Sequence, residues 1–225
     1  MGTTKSKFMD AIKTGNINTV QRLIINEDIN INQTDEYGDT PLIYAVRHNM
    51  TEIIKFLLLL EADYFIKNKK GESVFSLEKG KDILYPYFRE AIITRNIKKT
   101  KLFLEHGIDI NQKDKSGDTP LIYVIKYNDL VNHNTAGYIQ FLLKSGADIN
   151  IKDKNGKTAF DIALKNKDKL FLNILINELK ERNELNELIL YSILEDKHIE
   201  YNISSLRYNI DDADNIIRYI LMYLN

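Results

Sequence analysis

An all-α solenoid of stacked helix-turn-helix units with projecting hairpin loops is the fold class predicted by this sequence, and three observations predict it. The segment Gly38-Asp39-Thr40-Pro41-Leu42-Ile43-Tyr44 recurs unchanged as Gly117-Asp118-Thr119-Pro120-Leu121-Ile122-Tyr123. Weaker copies stand at Gly71-Glu72-Ser73-Val74-Phe75 and Gly156-Lys157-Thr158-Ala159-Phe160, and Gly38 to Gly71 is an interval of 33 residues. Such a period marks helical repeat arrays. A second pattern precedes these copies: Phe141-Leu142-Leu143-Lys144-Ser145-Gly146-Ala147-Asp148-Ile149-Asn150, and again Phe103-Leu104-Glu105-His106-Gly107-Ile108-Asp109-Ile110-Asn111.

Each residue in the repeat has a physical task. Thr40 and Thr119 offer a hydroxyl to an orphan N–H at the start of a first helix. Pro41 and Pro120 follow at the first helical position, where no N–H is needed. Gly38, Gly71, Gly117 and Gly156 suit a tight turn with positive φ. Adjacent leucines face a second helix inward, and Gly107 and Gly146 end it in the left-handed conformation. A unit this small buries its apolar face only by stacking on a neighbour. About five to seven units are expected, some incomplete.

Composition narrows the function. The 225 residues are 44% hydrophobic and 28% charged, with net charge -1. That balance favours a soluble globular chain and gives no bulk attraction to nucleic acid or membrane. Cysteine is absent, which excludes disulfides, zinc-thiolate sites and thiol chemistry. The start, MGTTKSKFMDAIK, has no apolar core of a secretory signal. The longest apolar run, Ile53 to Leu60, is broken by Lys55 and falls short of the roughly 20 residues that span a bilayer. The cytosol is the expected compartment, with export by a non-Sec route left open.

The spacing is irregular in two places. Gly117 to Gly156 is 39 residues, and the surplus is expected as a loop across Asp129 to Gly137. Gly71 to Gly117 is 46 residues. Glu90-Ala91-Ile92 through Asn96-Ile97 matches Asp10-Ala11-Ile12 through Asn16-Ile17 at an offset of 80, so the chain restarts its first repeat there. Tyr85-Pro86-Tyr87 is the expected seam, because proline disfavours helix at the residue before it. The repeat domain is therefore placed at 1–180 with an irregular seam near 80–88. Residues 181–225 form an expected helical cap. It is either a worn repeat, since Leu206 to Asp211 aligns with Leu104 to Asp109, or an unrelated helix. This tail holds nine acidic and four basic residues. Its apolar positions, Ile189, Ile193, Ile216, Ile217, Ile220 and Leu221, are expected to cover the helix around Leu170-Phe171-Leu172.

Catalytic and metal-binding patterns are lacking. His48, His106, His133 and His198 show no metal-helix spacing. The glycines are single turn residues and form no phosphate loop. Ser204-Ser205 lacks a nucleophile-elbow context. Asp211-Asp212 reads as a solvated pair. No enzyme, cofactor, metal or small-molecule substrate is expected. Tyr44 and Tyr123 are expected in the core, while Tyr37 and Tyr127 face out.

These motifs closely resemble the ankyrin-repeat family, whose pattern runs Asp-x-x-Gly-x-Thr-Pro-Leu-His-x-Ala and later Gly-Ala-Asp-Val-Asn. The resemblance covers about residues 8–180. It departs at Ile43 and Ile122, which replace the family histidine, and at Asp28 and Glu61, which stand where glycine is usual and where strain or a remodelled loop is expected. The resemblance implies paired antiparallel helices, a protein partner, and contact through loop tips and the first-helix face. Those positions are Glu36, Tyr37, Asp39, Arg47 and His48, then Lys69, Lys70 and Glu72. In the later repeats they are Lys115, Ser116, Asp118, Lys126 and Tyr127, then Lys154, Asn155, Lys157 and Lys165. Basic residues outnumber acidic ones among them, so the implied partner has an acidic surface. An alternative is a membrane-tethered adaptor, because Met1-Gly2-Thr3-Thr4-Lys5-Ser6 matches the N-myristoylation pattern. A nucleic-acid binder is the weakest reading.

Overall fold

The structure, a computed structural model, describes residues 4–27, 29–127 and 135–182. Among the described residues there are ten α-helices, one 3-10 turn and no strand. The helices are α1 (Thr4–Lys13), α2 (Ile17–Asn26), α3 (Pro41–Arg47), α4 (Thr51–Leu59) and, after the 3-10 turn Val74–Ser76, α5 (Gly80–Ile93). Then come α6 (Ile97–Glu105), α7 (Pro120–Lys126), α8 (Thr135–Lys144), α9 (Ala159–Lys165) and α10 (Lys169–Glu181). The all-α repeat architecture read from the sequence is the one found.

Helix starts follow the expected chemistry. Thr40 Oγ1 accepts the Ile43 N–H at 3.1 Å and Thr119 Oγ1 the Ile122 N–H at 3.3 Å, each with proline next. Thr158 and Asp161 cap one another reciprocally at the start of α9. The four loop glycines and Gly107 and Gly146 all have positive φ. Glu61 keeps the left-handed turn with φ 58° despite its side chain, as its place in the pattern implied. Asp28 lies outside the described residues.

The helices fall into two compact units. One holds the described residues up to 88 together with 105–108; the other holds 89–104 and the described residues from 109 on. In the first, α1 packs on α2 and α3, and α3 on α4 and the 3-10 turn. Phe8, Ile12, Val20, Ile43 and Leu57 are fully buried there, each worth roughly 1.5–3 kcal/mol of burial free energy. In the second, α7 packs on α8 and α9, and α10 on α8 and α9. Leu121, Tyr138, Leu142 and Leu172 are buried in it, while Leu170 is exposed.

The restart at offset 80 is visible residue by residue. Phe8 and Phe88 are both fully buried, as are Val20 and Thr100. Thr14 and Thr94 donate their hydroxyls to the carbonyls of Asp10 and Glu90 at 2.8 and 2.9 Å. Asn16 and Asn96 cap the following helix through the N–H groups of Thr19 and Lys99. The break expected at Pro86 does not occur: α5 runs through it from Gly80 to Ile93. Pro86 sits on the exposed side, and so does Asp82, whose carbonyl loses its N–H partner to the proline. Leu84, Phe88, Ala91 and Ile92 are buried along the other side, and that continuous stripe carries the helix across the proline. The preceding unit is reduced to its 3-10 turn.

Gly137, expected in an irregular loop, lies inside α8. Residues 128–134, Gly2 and the tail from 183 onward lie outside the described residues, and with them His133, His198, the worn-repeat reading and the acidic cap.

Candidate functional site

Every loop tip is shaped by one inward-turned side chain. Asp35 Oδ1 accepts the N–H groups of Tyr37 and Asp39 at 2.9 and 3.0 Å. Asn68 Oδ1 does the same for Lys70 and Glu72, both at 2.9 Å. Asp114 serves Ser116 and Asp118, and Asp153 serves Asn155 and Lys157, at 2.8–3.0 Å. The backbone closes the same loops, with the Asp35 N–H donating to the Asp39 carbonyl at 3.0 Å. Neighbouring tips in the first unit touch: the Lys69 N–H donates to the Tyr37 carbonyl at 3.1 Å. A β-carbon on Gly38 would lie 2.7 Å from that same Lys69 nitrogen, so glycine is required for contact as well as for φ.

In the first unit, these tips and α3 enclose an open cleft of ≈ 490 Å³ lined by Lys13, Asp35, Glu36, Tyr37, Asp39, Tyr44, Arg47, His48, Asn68, Lys70 and Glu72. Its floor is a polar network. Asp39 accepts hydrogen bonds from Arg47 and, at 2.7 Å, from the Asn68 amide. Arg47 and Asn68 each also donate to Glu72 at 2.9 Å. One wall is aromatic: the rings of Tyr44 and His48 lie 4.3 Å apart, with the Lys13 ammonium 6.0 Å from the Tyr44 centroid and 3.7 Å from Asp35.

The second unit repeats the plan with other residues. Lys126 donates to Asp118 at 3.0 and 3.1 Å and reaches Asp153 at 3.5 Å. Burial pulls the Lys126 pKa down, but its hydrogen bond to Asp118 and the charges of Asp118, Tyr127 and Asp153 outweigh this and hold it above the usual value. Asp153 is held below the usual carboxylate range, chiefly by the Lys157 N–H acting against burial, with Asn155 and Lys126 adding to it. Arg89 approaches Asp114 at 3.5 Å and lies 5.3 Å from the Tyr123 ring, which is 4.7 Å from that of Tyr127. Lys115, Ser116, Lys154, Asn155, Lys157 and Lys165 are exposed, and the Lys154 ammonium folds back to donate to the Lys115 carbonyl.

Seven of the residues expected from the sequence, Glu36, Tyr37, Asp39, Arg47, His48, Lys70 and Glu72, line one cleft. Tyr37 and Tyr127 face solvent, 61% and 43% exposed. Two expectations are corrected. Asp39 and Asp118 are not exposed: both are buried, because each pairs with the cation eight residues on. Tyr44 and Tyr123 are not core: both are half-buried, beside Lys13 of α1 and Arg89 of α5 respectively. Lys13, Asp35, Asn68, Arg89, Asp114 and Asp153 were missed. The aspartate or asparagine three residues before each turn glycine, at 35, 68, 114 and 153, was the available signal.

Chemically the surface offers ion pairs, hydrogen bonds and flat rings. Among the described residues no group of three His, Cys, Asp or Glu is placed to hold a metal, and no helix is long and apolar enough to cross a membrane.

Residues 4–71 and 89–187 match the family model described as Ankyrin repeats (3 copies). The chain is 33% identical over 121 residues to ankyrin repeat protein FPV223 of fowlpox virus, covering 46% of this chain and 85% of that one. It is 36% identical over 77 residues to an ankyrin repeat protein of Rickettsia bellii, 32% of this chain and 46% of the relative. To ankyrin repeat protein L371 of Acanthamoeba polyphaga mimivirus it is 29% identical over 109 residues, 48% of this chain and 13% of the relative. A crystal structure of EF0377, an ankyrin repeat protein, aligns over 76% of this chain and 97% of that one, with 25% identity and TM-score 0.38.

Proposed function

The chain belongs to the ankyrin-repeat family, whose repeats are protein-interaction modules, and from that premise we propose that it binds another protein without catalysis. The supporting observation is the first-unit cleft. Tyr37 and His48 are exposed above a floor whose charged groups are fixed by Asp39, Arg47, Asn68 and Glu72. A preorganised floor lowers the ordering cost of binding, and a tyrosine at its edge is the side chain that interfaces favour. The proposed partner has an acidic surface, and the proposed compartment is the cytosol.

A photoreactive phenylalanine analogue at Tyr37 tests this. In the native cell it should cross-link one discrete protein, and the same group at Lys55 on α4 should not. Equal labelling from both positions would sink the reading. The membrane-tethered alternative rests on Met1 to Ser6 alone; a free N-terminus in the mass spectrum of native protein removes it.

A further inference from the structure

Resting on the protein-binding reading, we infer that an acidic polypeptide segment is held by the loop tips of the second unit and not by those of the first. The two sets of tips dispose of their carboxylates differently. In stretches 113–118 and 152–157 the acids are Asp114, Asp118 and Asp153, with side chains 9%, 0% and 3% exposed. Each is turned onto loop N–H groups or onto Arg89 or Lys126. Lysines stand beside them, and Lys113, Lys115, Lys152, Lys154 and Lys157 are all exposed. The turn therefore internalises acid and displays base.

The first unit internalises Asp35 and Asp39 in the same way, with side chains 6% and 4% exposed, but sets two further acids beside its exposed Lys67, Lys69 and Lys70. Stretches 34–39 and 67–72 hold Asp35, Glu36, Asp39 and Glu72. Glu36 is exposed and the Glu72 side chain is 39% exposed, while Arg47 is committed to Asp39 and Glu72. Its outward charge is mixed. Only the second unit presents lysines with no exposed acid among them at the tips, which is the arrangement that steers and holds carboxylates. Tyr127 adds a flat apolar face beside Lys126, 5.8 Å from the ammonium.

A polypeptide fits this patch better than a nucleic acid. Single strands need successive aromatic platforms along a continuous basic track. Among the described residues Tyr127 is the one exposed ring beside these tips. Asp109, exposed in the segment that leads into the first of these tips, interrupts the basic surface.

The test uses the full chain and fluorescence anisotropy with three probes: a short peptide alternating Glu and Ser, its Gln-for-Glu counterpart, and an oligothymidylate of equal charge. The acidic peptide should bind, weaken as salt rises, and lose about tenfold or more in affinity to Lys115→Glu/Lys157→Glu. Lys115→Arg/Lys157→Arg and the first-unit reversal Lys55→Glu/Lys67→Glu, at two exposed lysines outside the cleft, should each stay within about twofold. The inference is overturned by no binding of the acidic peptide, by equal loss from the Lys55/Lys67 reversal, by indifference to the Lys115/Lys157 reversal, or by tighter binding of oligothymidylate. If Tyr37 still cross-links a partner while any of these occurs, the protein-binding module stands and the charge assignment falls.

Discussion

The phenol of Tyr138 lies 2.7 Å from the hydroxyl of Thr100, and both residues are fully buried in the second unit. Thr100 occupies the place held by Val20 in the first repeat, so this polar pair is peculiar to the restarted repeat. Burial raises the Tyr138 pKa from 10.0 to about 12, against the lowering effects of Thr100 and the Arg95 charge. A folded-state pKa above the unfolded one contributes stability that is complete below the unfolded value. Urea unfolding should therefore show stability falling as pH rises from 10.0 to about 12, and Tyr138→Phe should lack that component. At neutral pH Tyr138→Phe should cost about 1 kcal/mol, since Thr100 loses its partner. An unchanged alkaline profile in Tyr138→Phe would count against the assignment.

Gly80 begins α5 directly under the Val74 carbonyl. A β-carbon there would lie 1.6 Å from that oxygen. Gly80→Ala is expected to lower stability by about 1–3 kcal/mol through overpacking. Gly71 has positive φ but open space around it, so Gly71→Ala should cost only about 1 kcal/mol. Chemical denaturation of the two variants checks the order, and a reversal would show that φ, not the close approach, dominates.

Glu61 supplies the left-handed turn after α4 with φ 58°, where Gly107 and Gly146 do it after α6 and α8. Glu61→Gly relieves the side-chain clash and adds chain entropy in the unfolded state. The first effect is the larger, so a gain of roughly 0.5 kcal/mol is expected. A rise in the urea midpoint with unchanged slope checks it.

Lys126 is the cation shared by Asp118 and Asp153, whose side chains are 0% and 3% exposed. Lys126→Met takes the cation from Asp118 and leaves Asp153 with its loop N–H groups and the Asn155 amide. The Lys126 side chain is itself 29% exposed, which tempers the cost to about 2 kcal/mol. Asp153 is depressed in the fold, so its contribution is present above the unfolded pKa and is lost as pH falls through the folded one. Lys126→Met should therefore move acid unfolding to higher pH, measured by circular dichroism. No shift would mean that the loop N–H groups alone support the carboxylate.

Where local chemistry decides the outcome, the sequence is a sufficient guide. Thr-Pro caps, turn glycines and the offset-80 restart are each set by a few adjacent residues. The misreadings come from tertiary effects. Asp39 and Asp118 look like solvated turn acids until a basic residue eight positions on folds back over them. Pro86 reads as a break because the buried stripe from Leu84 to Ile92 is not a local property. Asn49, Arg95 and Lys167 all take positive φ between paired helices, with no glycine to announce it. Backbone bonds enforce those turns, such as Met50 N–H to the Ala45 carbonyl and Asn96 N–H to the Ala91 carbonyl, both 2.9 Å.

Because one Asp or Asn side chain, bonded to loop N–H groups, and one glycine hold each hairpin from inside, the side chains of Glu36-Tyr37 and Lys115-Ser116 are not what fixes its shape. Glu36-Tyr37 and Lys115-Ser116 occupy the same two positions of equivalent turns. Each pair is thus an interchangeable cassette on a common mount. Transplanting one into the other's turn should transfer its recognition chemistry without redesign of the helices beneath, making the hairpin a natural point at which such a chain is retargeted.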